Sequence, residues 1–346
     1  MPLCRMFLVR SDLSFKLLRG STSYFGFNPR RCFEASSFKN LNDKKEELGG
    51  AIQGAARNYK IMDLLLNART DGTQMGVSEV SHTVFQISPP DNDPDRRLFR
   101  CHFGAVSGWA LDVLLKRYEA DQANEVADFY FQLSGLPGAA SLQGHIFERQ
   151  VLNNLHGIGT PLEYSIRWLT NSNEMKWTKW TYHGPIRHVT LQESSFSSEL
   201  TKAVQNRERL HLVPLARNFP SIDSILYDPD DPKAVLTCIQ ITRNMGHPIA
   251  VSGLRLIQNW LKLNTSLSDL RPSEKRPWRF VFVVPSGCVH NFQLQPIVDD
   301  SRSGKKGVAN WPRKVQQFVL GLEEKSIFGG VFGSNATKFG EQQVQC

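Results

Sequence analysis

One stretch of the chain, residues 279–285 (RFVFVVP), limits most strongly what this sequence can fold into. Every position after Arg279 is apolar, so a strand made from it would bury both of its faces. Strands of this kind are typical of parallel or mixed sheets that are covered by helices on both sides. The preceding residues 249–263 (IAVSGLRLIQNWLKL) have the apolar spacing of an amphipathic helix. Together the two stretches predict an α/β or α+β domain with a mixed sheet flanked by helices.

Other sequence patterns predict the remaining strands and helices of this domain and of the region before it. Period-two alternation and turn residues predict strands at 163–169, 186–191, 211–215, 221–227 and 234–242, and a hairpin strand at 177–182. Apolar spacing predicts helices at 51–68, 103–118, 123–133, 139–155, 197–206 and 311–322, the last closing the domain. We therefore expect a mainly helical region followed by a strand-rich one.

The charge of the chain changes sign along its length. Residues 1–60 carry 11 basic and 5 acidic side chains, residues 61–148 carry 6 and 12, and residues 149–346 carry 24 and 16. A basic front, an acidic middle and a basic back indicate three regions with different roles. The total of +8 is compatible with a polyanionic partner.

Several classes of protein are excluded. No run of about 18 apolar residues is present, so the sequence predicts no membrane span. The six cysteines form no CxxC pair, which argues against a zinc site or a disulfide scaffold and favours a reducing compartment. The sequence also contains no GxxxxGK[ST], HExxH, GxSxG or GxGxxG motif.

A group of acidic and amide side chains is the best candidate for chemistry. Asp223 lies in the otherwise apolar stretch Ile222–Ile225, where burying a carboxylate is costly unless a partner meets it. Gln240 and Thr242 share one face of the next strand by period two, and Glu148 is flanked by apolar residues on a predicted helix. Converging oxygen ligands suit Mg²⁺, which can activate a water for attack on phosphate. The alternative is that Asp223 caps a turn while Gln240 and Thr242 satisfy each other in the core.

Five stretches carry a resemblance to a known family: residues 130–148 (YFQLSGLPGAASLQGHIFE), 219–225 (FPSIDSI), 239–242 with His247 and Pro248, 280–285 (FVFVVP) and 317–321 (QFVLG). Over residues 75–322 the chain resembles the C-terminal part of Crinkler and retrotransposon-hot-spot (RHS) type effector proteins in their fungal form. Those proteins combine a P-loop NTPase, a helical linker and a nuclease of the restriction-endonuclease-like PD-(D/E)xK superfamily. A weaker match at 26–32 (GFNPRRC) resembles the end of the NTPase.

The resemblance implies a division of the chain and a set of site residues. It implies an NTPase remnant or extension at 1–60, a helical, winged-helix-like linker at 61–140, a restriction-endonuclease-like domain at 141–325 and a tail at 326–346. Glu148 corresponds to the acid of the first helix and Asp223 to the metal-binding aspartate. Gln240 stands in place of the second carboxylate and Thr242 in place of the usual lysine, so Arg243 or His247 would have to substitute, His247 as a general base.

The function implied is a Mg²⁺-dependent deoxyribonuclease of the endonuclease type. Either Arg243 or His247 makes up for the two replacements, or catalysis is weakened by them. The alternative is an inactive DNA-binding or scaffold module of the same fold. DNA is the expected partner, together with an NTPase module acting in trans, and no contact with a membrane is expected. The sequence does not specify the oligomeric state. The expected compartment is the nucleus or cytoplasm. The Arg- and Ser-rich composition of residues 1–33 leaves a mitochondrial presequence as the alternative.

Two further features bear on DNA binding. Residues 243–279 contain seven basic and two acidic side chains, and a second basic group is Lys305, Lys306, Arg313 and Lys314. These would contact phosphates, or they form a solvated basic surface. Trp177 and Trp180, flanked by lysines, would stack on bases, or they pack within the hairpin.

Overall fold

The structure is a computed structural model, and it describes residues 38–68, 81–82, 84–88, 102–136, 138–157, 161–172, 174–184, 187–191, 195–214, 219–231, 236–300, 308 and 310–329. The predicted presequence, the NTPase-like match at 26–32 and Lys305 and Lys306 lie outside the described residues. The chain divides into two compact units, 1–146 and 147–346. None of the helices in the described part is both long and apolar enough to span a bilayer.

The first unit is mainly helical. Its elements are α1 (Phe38–Asn58), α2 (Ile61–Asn67), an antiparallel pair of strands β1 (Phe85–Ser88) and β2 (His102–Ala105), α3 (Gly108–Asp121), α4 (Ala123–Leu133) and the start of α5 (Ala140–Gly157). The helices predicted at 123–133 and 139–155 are confirmed by α4 and α5 to within two residues at either end.

Two other helix predictions were partly wrong in this unit. The helix predicted at 51–68 is broken at Lys60, whose extended backbone separates α1 from α2, and Glu125 accepts the Ile61 N–H that the break leaves unpaired. The helix predicted at 103–118 begins later, because residues 102–105 pair with β1. Ser107 then starts α3 as a helix cap, accepting the Ala110 N–H at 3.1 Å.

The second unit is built on an eight-stranded mixed sheet. Its strands are β3 (Leu162–Trp168), β4 (Lys176–Tyr182), β5 (Arg187–Leu191), β6 (Leu210–Pro214), β7 (Ser224–Tyr227), β8 (Thr237–Ile241), β10 (Trp278–Pro285) and β12 (Val315–Leu322). They lie in the order β4–β3–β12–β10–β8–β7–β6–β5. Strands β6, β7 and β8 are successively antiparallel, whereas β8, β10 and β12 are parallel. The predicted mixed α/β architecture is therefore confirmed.

Strand β10 lies inside the sheet, between β8 and β12, and all eight of its residues are buried. Helices α6 (Phe196–Asn206) and α7 (Val251–Lys262) contribute apolar side chains to the same core, among them Phe196, Leu254 and Ile257. A short parallel pair, β9 (Ile249–Ala250) and β11 (Ile297–Val298), and helix α8 (Glu324–Phe328) complete the described part of the unit. The apolar run at 279–285 thus occupies the fully covered position that its sequence predicts.

The closing helix predicted at 311–322 was wrong. Residues 311–313 form one 3₁₀ turn and residues 315–322 form β12, which pairs with β10 on one side and with β3 on the other. Gln317 explains part of this outcome, because its buried side chain exchanges two hydrogen bonds with the backbone of Gln295. Pairing on both edges of β12 outweighs the helical spacing of its apolar residues.

Candidate functional site

Asp223 lies one residue before β7, and its carboxylate is tied to the neighbouring strand β8. Its Oδ2 atom accepts a hydrogen bond from the Ile241 N–H at 2.6 Å and another from Gln240 Nε2 at 2.8 Å. Its own N–H donates to the Ile239 carbonyl. The carboxylate therefore bridges to β8, as the predicted convergence of Asp223 and Gln240 requires, although Asp223 precedes the strand rather than lying within it.

Glu148 belongs to the same group of side chains. Burial raises the pKa of Asp223 well above its ordinary value, and the negative charge of Glu148 raises it further. The hydrogen bonds from Ile241 and Gln240 lower the pKa, but they do not offset these two effects. Helix α5 thus brings Glu148 within electrostatic reach of Asp223, and the two acids are most stable when a positive charge or a proton lies near them.

The oxygen atoms around Asp223 fit a hard cation. Gln240 Oε1 is buried and has no hydrogen-bond partner. In the part of the chain described, both hydrogen bonds of the Asp223 carboxylate go to Oδ2, so Oδ1 is available to another ligand. Carboxylate and amide oxygens are the donors that Mg²⁺ takes. Glu148, Asp223 and Gln240 therefore have the chemistry expected of the predicted metal ligands.

The backbone that carries Asp223 is held in an unusual conformation. Ser221 has a φ of 56°, in the left-handed region that non-glycine residues rarely adopt. Its Oγ donates to the Pro248 carbonyl and accepts the Ala250 N–H, which fixes this conformation. Strained backbone of this kind is often found at functional sites, and here it anchors the segment before Asp223 to the segment that contains His247.

Thr242, which stands in place of the superfamily's lysine, and its two possible substitutes, Arg243 and His247, all have other partners. Thr242 Oγ1 accepts the Asn244 N–H at 3.0 Å. Arg243 lies 3.7 Å from a Glu324 carboxylate oxygen. The His247 N–H donates to Gln295 at 2.6 Å, and burial lowers the pKa of its side chain. None of the described hydrogen bonds joins Thr242 or His247 to Asp223, and Thr242 does not pair with Gln240 as the alternative interpretation required.

The predicted basic surface at 243–279 is largely neutralised. Four of its seven basic side chains form ion pairs, and these are Arg243 with Glu324, Arg255 with Asp299, Arg276 with Asp269 and Arg279 with Asp231. Arg313, from the second predicted group, pairs with Glu274 at 3.3 Å. This part of the chain therefore presents less positive charge than its sequence indicates.

The two tryptophans of β4 have different environments. Trp180 is buried against Tyr164, Tyr182 and the guanidinium of Arg279, so it packs within the hairpin. Trp177 is 45% exposed and touches only the edge of His290 among the described aromatic rings. The exposed ring of Trp177 is therefore able to stack on a base, whereas the buried ring of Trp180 is not.

A histidine–aspartate pair and a cluster of three histidines were missed by reasoning from the sequence. His183 Nδ1 lies 2.7 Å from Asp228 Oδ2 in an open cleft that Tyr182, Arg209 and Tyr227 also line. His156, His188 and His211 lie together at another place in the second unit. Neither group has a sequence motif, because its members come from elements that only the folded sheet brings together.

Comparison with known proteins gives no relative for this chain, since no family model, no curated protein and no solved structure matches it.

Proposed function

We propose that this chain is a metal-dependent phosphodiester hydrolase that cuts DNA, with the restriction-endonuclease-like fold of the Crinkler and RHS-type effectors it resembles. The proposal depends on one observation above all. Glu148 and Asp223 are close enough to raise the pKa of Asp223, and the buried Oε1 of Gln240 beside them has no partner. Such a group is costly to keep in a core that binds nothing, and it is well suited to holding Mg²⁺.

Each side chain has a definite part in this proposal. Asp223 and Glu148 would hold the ion, and Gln240 would both orient the Asp223 carboxylate through Nε2 and offer Oε1 as a further ligand. When bound, Mg²⁺ supplies acidification of a water and stabilisation of the charge that develops on phosphate. His247, whose pKa is lowered by burial, would be neutral at pH 7 and able to accept a proton.

A second candidate function is an inactive DNA-binding module of the same fold. It is favoured by Thr242, which stands where the resemblance calls for a lysine and whose hydroxyl is engaged by Asn244. Arg243, the nearest cation in sequence, is paired with Glu324. In either candidate the partner is DNA, which would place the protein in the nucleus or, with a functional presequence, in the mitochondrion.

Nicking of supercoiled plasmid in the presence of Mg²⁺ tests the proposal. We expect the parent chain to nick DNA and Asp223→Asn to be at least about 100-fold slower, because loss of outer-shell support alone costs metal sites 10–100-fold. Asp230→Asn is the matched control, since it removes the same charge from an exposed turn seven residues away and should leave nicking unchanged.

The outcomes separate the two candidates. Equal nicking by the parent and by Asp223→Asn contradicts the assignment of Asp223. DNA binding without nicking, equal in both proteins, supports the inactive module instead. Absence of both nicking and DNA binding contradicts both candidates.

A further inference from the structure

A second group of possible metal ligands lies on the part of the sheet formed by β5 and β6. His188 and His211 are direct partners in the parallel pairing of these strands, so their side chains lie on the same face of the sheet. His156 comes from the last turn of α5, and its ring centroid is 3.6 Å from that of His188 and 5.0 Å from that of His211. One ligand nitrogen from each ring can be chosen so that all three lie within 4.8 Å of one another.

The ring nitrogens of this cluster lack the partners that buried polar atoms normally have. His211 is completely buried, and neither of its ring nitrogens has a hydrogen-bond partner. The Nε2 atom of His156 is also buried without one. Because most buried polar side-chain atoms in native proteins are hydrogen-bonded, three such nitrogens at one place form a set of donor atoms that suits a bound cation.

We propose that His156, His188 and His211 bind a Zn²⁺ ion. Imidazole nitrogens suit Zn²⁺, and three histidines with one open position make a known type of tetrahedral zinc site. Zn–N bonds of 2.0–2.1 Å place the nitrogens about 3.4 Å apart, which rotation of the side chains can reach from the observed spacing. His188 is exposed, so water or a small ligand can occupy the fourth position.

The surroundings favour a cation at this place. The carbonyl end of α5, an 18-residue helix, carries partial negative charge next to His156. The ring of His188 lies beside the backbone of its strand partner His211, and backbone groups next to such rings orient histidines that bind metals.

This site differs from the one around Asp223. His156 and Glu148 both lie on α5 but are eight residues apart, about 12 Å along the helix axis. The donor atoms are imidazole nitrogens rather than carboxylate and amide oxygens, so the two sites select different ions. Zinc binding here does not depend on nuclease activity.

The experiment uses the full chain after removal of metals with EDTA. Co²⁺ is titrated in while the visible d–d absorption of the tetrahedral ion is followed, and Zn²⁺ is then added to displace it. We expect one Co²⁺ per chain, displaced by one Zn²⁺. His188→Ala should weaken Zn²⁺ binding by about 100-fold or more, because even changes to the groups that orient metal ligands cost 10–100-fold. His188 is exposed, so its replacement leaves the core filled.

Two controls make the result specific. His145→Ala removes an exposed histidine from the same helix, and Asp223→Asn alters the other site; both should bind Zn²⁺ as the parent does. The proposal is overturned if the folded parent binds no Co²⁺ or Zn²⁺. It is also overturned if His188→Ala binds Zn²⁺ as tightly as the parent.

Discussion

Asp223 shows how much a single side chain can reveal about a site. Its carboxylate receives two hydrogen bonds, which would ordinarily lower its pKa, yet burial and the charge of Glu148 outweigh them. The fold therefore holds this group at a cost in stability. A residue retained at such a cost is more informative about function than Asp230 in the following turn, whose charge is solvated because its side chain is 61% exposed.

This cost can be measured as a function of pH. Because the folded state raises the pKa of Asp223 above its ordinary value of 3.8, the ionised form is disfavoured by folding. Its contribution to stability is greatest below pH 3.8 and is lost as pH rises through the window between 3.8 and the raised pKa. In buffer with EDTA, Asp223→Asn should therefore melt at a higher temperature than the parent at pH 7, and this advantage should vanish below pH 3.8.

Thermal unfolding followed by circular dichroism across that pH range checks the prediction. Asp230→Asn, in an exposed turn, should show no such advantage at any pH. If Asp223→Asn melts below the parent at pH 7, the hydrogen bonds from Ile241 and Gln240 contribute more to stability than the ionised carboxylate costs.

At the scale of elements, pattern strength decided what the sequence could predict. Strand β10 was predictable because its apolar run is continuous, and helices α4 and α7 were predictable because each has one helical periodicity that burial reinforces. Strand β12 was not, since Val315, Phe318, Val319 and Leu322 fit a helix equally well, and only pairing with β3 and β10 decides between the two. The same limit applies to the sites: Asp223 and Gln240 could be brought together from strand alternation, whereas His156, His188 and His211 come from elements far apart in sequence.

Helix α7 lies very close to the backbone at Pro220, three residues before Asp223. A Gly→Ala substitution at this contact should destabilise the chain, although helix propensity alone predicts that it stabilises the helix. A Cβ on Gly253 would lie 2.1 Å from the Pro220 carbonyl oxygen, so Gly253→Ala should push the helix away from this backbone. We expect a loss of about 1–3 kcal/mol in the free energy of unfolding, as for other overpacked sites. Urea denaturation of the full chain measures it.

Gly144→Ala is the matched substitution, within α5. A Cβ there meets nothing within 4 Å, so alanine should stabilise the chain by up to about 1 kcal/mol through helix propensity. Equal effects of the two substitutions would show that the contact between Gly253 and Pro220 does not limit the position of α7.

At the scale of the whole molecule, net charge is a poor guide to surface charge. Of the seven basic residues at 243–279, three have no acidic partner in the part of the chain described, and these are Lys262, Arg271 and Lys275. The seven basic residues therefore overstate the number of cations that this region can offer to a polyanion, because acidic side chains already pair with four of them.

The salt dependence of DNA binding follows from this count. Each neutralised phosphate contributes about −0.9 to the slope of log K against log salt, so three free cations give about −3 and all seven would give about −6. We expect a slope no steeper than about −3 for this region, measured by fluorescence anisotropy with duplex DNA, and a reduction of about 2 in Lys262→Gln/Lys275→Gln. A slope near −6 would mean that the ion pairs open when DNA binds.

The place of β12 in the sheet has a consequence for the order in which the protein can fold. Trp168 of β3 pairs with Phe318 of β12, 150 residues further along the chain. During synthesis the β3–β4 hairpin therefore leaves the ribosome long before the strand that joins it to β10 exists. Contacts at such separation slow folding and leave strand edges exposed meanwhile. This hairpin is thus the part of the sheet for which a nascent chain most needs protection by a chaperone.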